Sequence, residues 1–246
     1  MLNSRLHLRP GGRSLCPDRL SFPCYCPAVT STEQRKRAKT RSHLLSALQE
    51  LLLDPQAATV SVPQLVNRAG VAQGTFYNYF ESLPAAIEAV GALLLAEHFR
   101  TVLRVIADAA DAAEVIARSD LQTLMLFEHR PDIGRLVFDS GQPIDRLIIF
   151  RGGRRQLLAN LQWGVDAGVL RPGNLQSACS VHIGAMVGTS LDVYRGRLSA
   201  DDARDVVARL LRDLGVTARR SKRLVETPQE FEPWHPLPLV EQETDV

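Results

Sequence analysis

Within residues 73–79 the chain places Gln73, Thr75, Tyr77, Asn78 and Tyr79 around the small residue Gly74. Hydroxyl and carboxamide groups of this kind donate to phosphate oxygens and pair with the hydrogen-bonding edges of bases. A helix face meant only for water would normally carry Glu and Lys, and this stretch has neither. Gly74 lets the backbone approach closely whatever it meets. Upstream, residues 33–41 hold five basic side chains and one acid. Alone, such a run reads as a solvated face; beside the polar stretch it reads as an arm for a polyanion, with Arg37 and Arg41 the favoured phosphate contacts. The chemistry these residues support is recognition of DNA.

The elements that must position them are helical. Over Thr32–Leu53, the residues Ala38, Leu44, Leu45, Leu48, Leu51 and Leu52 recur at helical spacing, and Pro55 ends the pattern. Ser61 opens a second helix through a capping box with Gln64, and Pro63 falls in the first turn, where its missing N–H costs nothing. Gly70 supplies a left-handed stop. The third helix is expected over 72–80, held down by Val71, Phe76 and Phe80. Ser82 then caps a fourth, from Leu83 to about residue 107, with Pro84 in its first turn. Later helices are expected over 121–129, 132–138, 143–167 (interrupted by Gly152 and Gly153), 174–194 and 199–214. No stretch alternates with period two for long enough to make a strand. The fold class is all-α: an N-terminal helix-turn-helix domain at 32–82, with its motif at 61–80, then a helical effector-binding and dimerisation domain at 83–216. Residues 1–31 and 217–246 lack periodicity and are expected to be disordered tails.

Composition sets the bounds. The 246 residues carry a net charge of +2, with 45% hydrophobic and 23% charged residues, an ordinary globular balance that does not itself argue for a nucleic-acid partner. Only Lys36, Lys39 and Lys222 are lysines among 29 basic residues, a bias that suggests a GC-rich bacterial genome. No apolar run approaches the roughly 20 residues that span a bilayer, and the first residues lack the apolar core of a secretory signal, so no membrane partner and a cytoplasmic location are expected. Cys16, Cys24, Cys26 and Cys179 fit free thiols. The Cys24–Cys26 spacing is not that of a metal site, and neither a metal nor a cofactor is expected. A Val codon can serve as a bacterial start, so Val29 is an alternative beginning that would leave residues 1–28 outside the natural protein.

The segment AGVAQGTFYNYF resembles the recognition segment of TetR-family transcriptional regulators, through Ala69, Gly70, Val71, Gly74, Thr75, Phe76, Tyr77, Tyr79 and Phe80. The close match spans about residues 33–95. The resemblance implies DNA contact by Ser61, Gln73, Gly74, Thr75, Tyr77, Asn78 and Tyr79 beside the two arginines. Two departures stand out: Ala72 replaces the usual Ser or Thr cap, and Leu83 stands where the family usually has a phosphate-reaching Lys. The family's helical body implies a small-molecule cavity, with Met125, Phe127, Phe138, Phe150, Trp163, His182 and Met186 as candidate wall groups and a hydrophobic or amphipathic effector. Core packing is the competing reading for each.

The resemblance also implies a homodimer through the last two long helices. Ser177, Ser180, Gly184 and Gly188 would let one helix approach its mate, and Ala203, Val206, Val207, Leu210, Leu211 and Leu214 form an apolar stripe on the other. The implied function is a repressor that a small molecule releases from a palindromic double-stranded operator. The alternatives are an activator or a partner-controlled regulator of the same fold, and more remotely a helical enzyme or a non-specific DNA-architectural protein. No phosphate loop, zinc-binding His pair, nucleophile turn or carboxylate pair argues for an enzyme.

Overall fold

Residues 32–54, 60–140 and 152–241 are described by the computed structural model, and among them every regular element is helical. Helix α1 (Thr32–Leu53), α2 (Val62–Arg68) and α3 (Gln73–Tyr77) form the N-terminal unit. Leu44, Leu45, Leu48, Leu65 and Phe76 are fully buried among them. Helix α4 (Leu83–Val105) packs on α1 and leads into the body. The body comprises α5 (Ala112–His129), α6 (Pro131–Gly134) continuing as a π-helical turn Arg135–Asp139, α7 (Arg154–Asp166), α8 (Leu175–Tyr194), α9 (Ala200–Asp213) and α10 (Ala218–Glu226). At its centre lies α5, which packs against α4, α7, α8, α9 and α10.

Side-chain caps set the helix starts. Ser82, Asn174 and Ser199 cap α4, α8 and α9 as their sequences suggest. Helix α5 starts well before the expected residue 121, because Asp111 accepts the N–H groups of Ala113 and Glu114 at 3.0 and 3.2 Å and opens an extra run of helix. Helix α3 stops at Tyr77 rather than at Phe80. The remaining residues turn back on it, with the N–H groups of Tyr79 and Phe80 both donating to the Phe76 carbonyl. The expected helix over 143–167 lies partly outside the described residues; its described part is α7.

The largest correction concerns the C-terminal segment, expected to be a disordered tail. Thr217 caps α10, and residues 227–241 then run as an extended strap back across α5 and α4 to α1. The strap has no ladder of its own; buried amides of distant helices satisfy its backbone. Gln49, 0% exposed, accepts the Leu239 N–H and donates to the Leu239 carbonyl, both at 2.8 Å. Gln122 does the same for Glu232, at 3.1 and 2.7 Å. Arg100 donates to the Pro233 carbonyl, and Arg130 to those of Trp234 and His235. The prolines at 228, 233 and 236 favour an extended path, the chain bends at 237–238, and none of the four prolines brings an N–H that would need a partner. Trp234 and Leu239 are buried in the same core as the N-terminal unit.

Gln49→Leu keeps much of the side chain's volume but leaves the buried Leu239 N–H and C=O unpaired. It is expected to lower the unfolding free energy by about 2–4 kcal/mol, measured by urea denaturation. A change under about 0.5 kcal/mol would mean that the strap is not held there.

Candidate nucleic-acid interface and cavity

The presentation of α3 starts with α2. Ser61 and Gln64 form the expected capping box: the Ser61 N–H and Oγ both donate to Gln64 Oε1, at 2.9 and 2.7 Å, and Ser61 Oγ accepts the Gln64 N–H at 3.5 Å. The Ser61 hydroxyl is thus engaged within the cap. Gly70 takes φ +62°, the left-handed conformation that turns the chain between α2 and α3. Ala72 starts α3 with no side-chain cap. Phe76 and Phe80 point inward and are buried, which leaves Gln73, Gly74, Tyr77 and Asn78 exposed and Thr75 and Tyr79 half-buried. Tyr77 is 53% exposed, unusual for a large aromatic side chain.

Helix α1 reaches this surface with its arginines. Arg37 donates to the Asn78 carbonyl at 3.3 Å and lies 5.8 Å over the Tyr79 ring. Arg41 lies 5.1 Å over Phe80 and pairs with Glu241 of the strap. Two ties that the sequence reading missed fix α2 against α1: His43 Nε2 meets the Ala69 carbonyl at 3.0 Å, and Arg68 pairs with Glu50 at 3.2 Å. Gly74 has a further property: a Cβ built there meets nothing within 4 Å, and its φ is not positive. Neither packing nor backbone conformation within the chain requires a glycine at this position.

In the body, a mainly apolar cavity of about 200 Å³ lies between α4, α5, α6, α7 and α8, with Trp234 of the strap on its wall. Of the candidate wall groups, Phe127, Phe138, His182 and Met186 line it. Met125 and Trp163 do not. Met125 borders a second, more polar hollow beside Phe231, and Trp163 packs against the α5–α9 core. Phe150 lies outside the described residues. The sequence reading missed His98, Asp120, Thr123, Asn160 and Trp234, all on the wall. For two of these there was a signal: His98 falls four residues after Leu94 and four before Val102, and Asp120 four after Ile116 and four before Leu124. Each is a polar residue in the inward row of an apolar stripe.

These polar groups are ordered. His182 Nε2 lies 2.9 and 3.2 Å from the two Asp120 carboxylate oxygens, and both residues are buried. Burial disfavours the His182 imidazolium, but the Asp120 charge and hydrogen bond, helped by Asp213, outweigh it and raise the pKa above its ordinary 6.5. His98, with no carboxylate beside it, is pushed by burial down to about 4. Among the described residues no group of three His, Cys, Asp or Glu could hold a metal ion. No described helix is long and apolar enough to cross a membrane.

The two helices expected to form a dimer seam behave differently. On α8, Ser177, Ser180, Gly184 and Gly188 are exposed, and Val181 beside them is 57% exposed. On α9, Ala203, Val207, Leu210 and Leu211 are buried within the chain itself, under α5 and α10. The covering comes from α10, in the segment expected to be a tail.

No family model and no curated protein matches the chain. Its fold nevertheless recurs among solved structures. RolR in complex with the ligand resorcinol aligns over 80% of this chain and 99% of its own, with a TM-score of 0.64 and 21% identity. A TetR-family transcriptional regulator from Haemophilus influenzae aligns over 73% of this chain and 98% of its own, with a TM-score of 0.55 and 15% identity. NalD, the secondary repressor of the MexAB-OprM multidrug efflux pump in Pseudomonas aeruginosa, aligns over 73% of this chain and 97% of its own, with a TM-score of 0.55 and 19% identity. The chain has the fold of TetR-family regulators, an N-terminal helix-turn-helix unit followed by a helical body.

A raised native pKa means that the folded protein holds the His182 proton more tightly than the unfolded chain does. The resulting stabilisation is complete below the ordinary value of 6.5 and is lost as pH rises through the native value. Asp120→Asn should remove it. The difference in unfolding free energy between wild type and Asp120→Asn is expected to be largest below pH 6.5 and to shrink as pH rises above it. A difference that stays constant across that range would mean that His182 is neutral in the native state.

Proposed function

We propose that the chain is a sequence-specific DNA-binding transcriptional regulator of the TetR kind, a repressor released from a palindromic operator by a small molecule. The observation that carries this reading is the surface of α3. Its exposed side chains are an amide-, hydroxyl- and aromatic-bearing set without carboxylates. At its centre sits a glycine that nothing inside the chain requires. A glycine in a helix is less favourable than Ala by up to about 1 kcal/mol, so close approach to a second molecule gives it a purpose.

In this reading Arg37, Arg41, Thr75 and Tyr77 contact phosphates, Gln73 and Asn78 read base edges, and Tyr79 supports either role. Ser61, engaged in its cap, contributes chiefly to the frame. The exposed small-residue face of α8 serves as the homodimer seam, which places two α3 helices on successive major grooves. The cavity holds the effector, consistent with the resorcinol named with RolR. Occupancy favours a conformer whose two α3 helices no longer fit the half-sites. An activator of the same fold differs only in what bound DNA does to transcription. Deleting the gene separates the two: derepression of the target indicates a repressor, and loss of its expression an activator.

DNase footprinting with the full chain on the region upstream of its own gene should reveal a protected inverted repeat. Uniform weak protection, or none, would overturn the reading. Arg37→Ala is expected to weaken binding to every sequence and to reduce the slope of log affinity against log salt by about one. Gly74→Ala should separate folding from function. It is expected to raise stability by up to about 1 kcal/mol in urea denaturation while weakening operator binding at least about tenfold in a mobility-shift titration. Unchanged operator affinity would remove the close-approach argument.

A further inference from the structure

The strap contributes a wall residue to the cavity, and that residue brings an unmet hydrogen-bond donor. Trp234 is 7% exposed, and its Nε1 has no partner among the described residues. An indole N–H can only donate. On the same wall, His98 stands with its ring centroid 6.1 Å from that of Trp234, and its Nδ1 also lacks a partner.

The role of that second nitrogen follows from its neighbours. Thr123 has a single hydroxyl proton, and it is donated to the Ser119 carbonyl at 2.8 Å. With that proton so placed, we assign the proton of the 3.2 Å contact between Thr123 Oγ1 and His98 Nε2 to Nε2. Burial keeps the ring neutral, so Nδ1 is a bare acceptor. One wall of the mainly apolar cavity thus offers a donor and an acceptor on adjacent rings. Leaving both unmet in a buried setting is unfavourable.

We propose that Trp234 Nε1 and His98 Nδ1 together bind the hydroxyl of an uncharged, mainly apolar ligand, an alcohol or a phenol, so that the C-terminal strap is part of the ligand site. A hydroxyl donates to Nδ1 and accepts from Nε1 at once. A carbonyl or ether oxygen serves only the indole, and a hydrocarbon serves neither. A carboxylate would lack the proton that Nδ1 needs and would lose its hydration in a mainly apolar cavity. The rest of the wall, including Leu95, Phe99, Ile183 and Met186, suits an apolar body. This inference rests on the reading of the cavity as an effector site. It adds a route: the segment that touches the hydroxyl is the one that Gln49 and Arg41 of α1 hold five and seven residues further on, at Leu239 and Glu241.

The test is isothermal titration calorimetry of the full chain with para-propylphenol, propylbenzene and para-propylbenzoate. The phenol is expected to bind at least about tenfold tighter than the hydrocarbon, and the benzoate more weakly than either. His98→Phe and Trp234→Phe should each abolish the phenol's advantage while leaving propylbenzene affinity within about twofold. Equal affinities for phenol and hydrocarbon would overturn the proposal, as when a bound water already satisfies both nitrogens. A phenol preference that survives both substitutions, or no binding by phenol and hydrocarbon alike, would overturn it too. The footprinting experiment uses no ligand, so these failures are distinguishable from failure of the regulator reading.

Discussion

A helix of five residues closes too few hydrogen bonds to offset its own nucleation, so α3 exists only because something else holds it. That support is Phe76, fully buried among the first three helices, with Phe80 behind it at 5.7 Å between ring centroids. Everything offered to the outside at this end of the molecule is attached to that anchor. Residues whose side chains would otherwise stabilise the helix, such as a Ser or Thr at position 72, are absent, and the packing carries the load instead. The left-handed turn at Gly70 and the His43 contact to the Ala69 carbonyl fix the angle at which the anchor is delivered.

Helix α1 is pinned from two directions. It packs on α2 and α4, and it is also gripped by the strap, through two good hydrogen bonds to a fully buried glutamine. Burying a carboxamide is unfavourable unless its hydrogen bonds are met. Gln49 meets its own with the very backbone groups that an extended segment cannot satisfy by itself. Glu97 acts similarly further along. Burial alone would raise its pKa, but Arg100 and His235 hold it down to about 2, so a charged carboxylate anchors the His235 N–H.

The parts legible in the sequence are those governed by local rules. The capping box at Ser61, the stop at Gly70 and the inward pair Phe76 and Phe80 depend on residues within a few positions of one another. The start of α5 was equally local, in Asp111 and Glu114, but it sits in an alanine-rich stretch with a weak apolar stripe, which hid it. The strap could not be read in this way. Its partners Gln49 and Gln122 are 190 and 110 residues away, and a proline-rich extended chain has no period to detect. Missing the order of the C-terminal segment hid two further contacts. Much of the apolar stripe of α9 is covered within the chain by α5 and α10, and Trp234 of the strap joins the cavity wall.

If Arg41 belongs to a DNA-binding arm, as proposed, its ion pair with Glu241 has a kinetic meaning. Both side chains are about one-third exposed, so the pair contributes little to folding, on the order of 0–1 kcal/mol. Its effect falls on the far field instead. A carboxylate parked on one cation of the arm reduces the pull on a distant polyanion, and with it the encounter rate and the affinity for arbitrary sequence. A phosphate that arrives in register can displace so weak a rival at little expense. Under the proposed reading, the last described residue of the strap thus works as a counterion that the protein carries with it, biasing the search for DNA towards contacts that fit over contacts that are merely near.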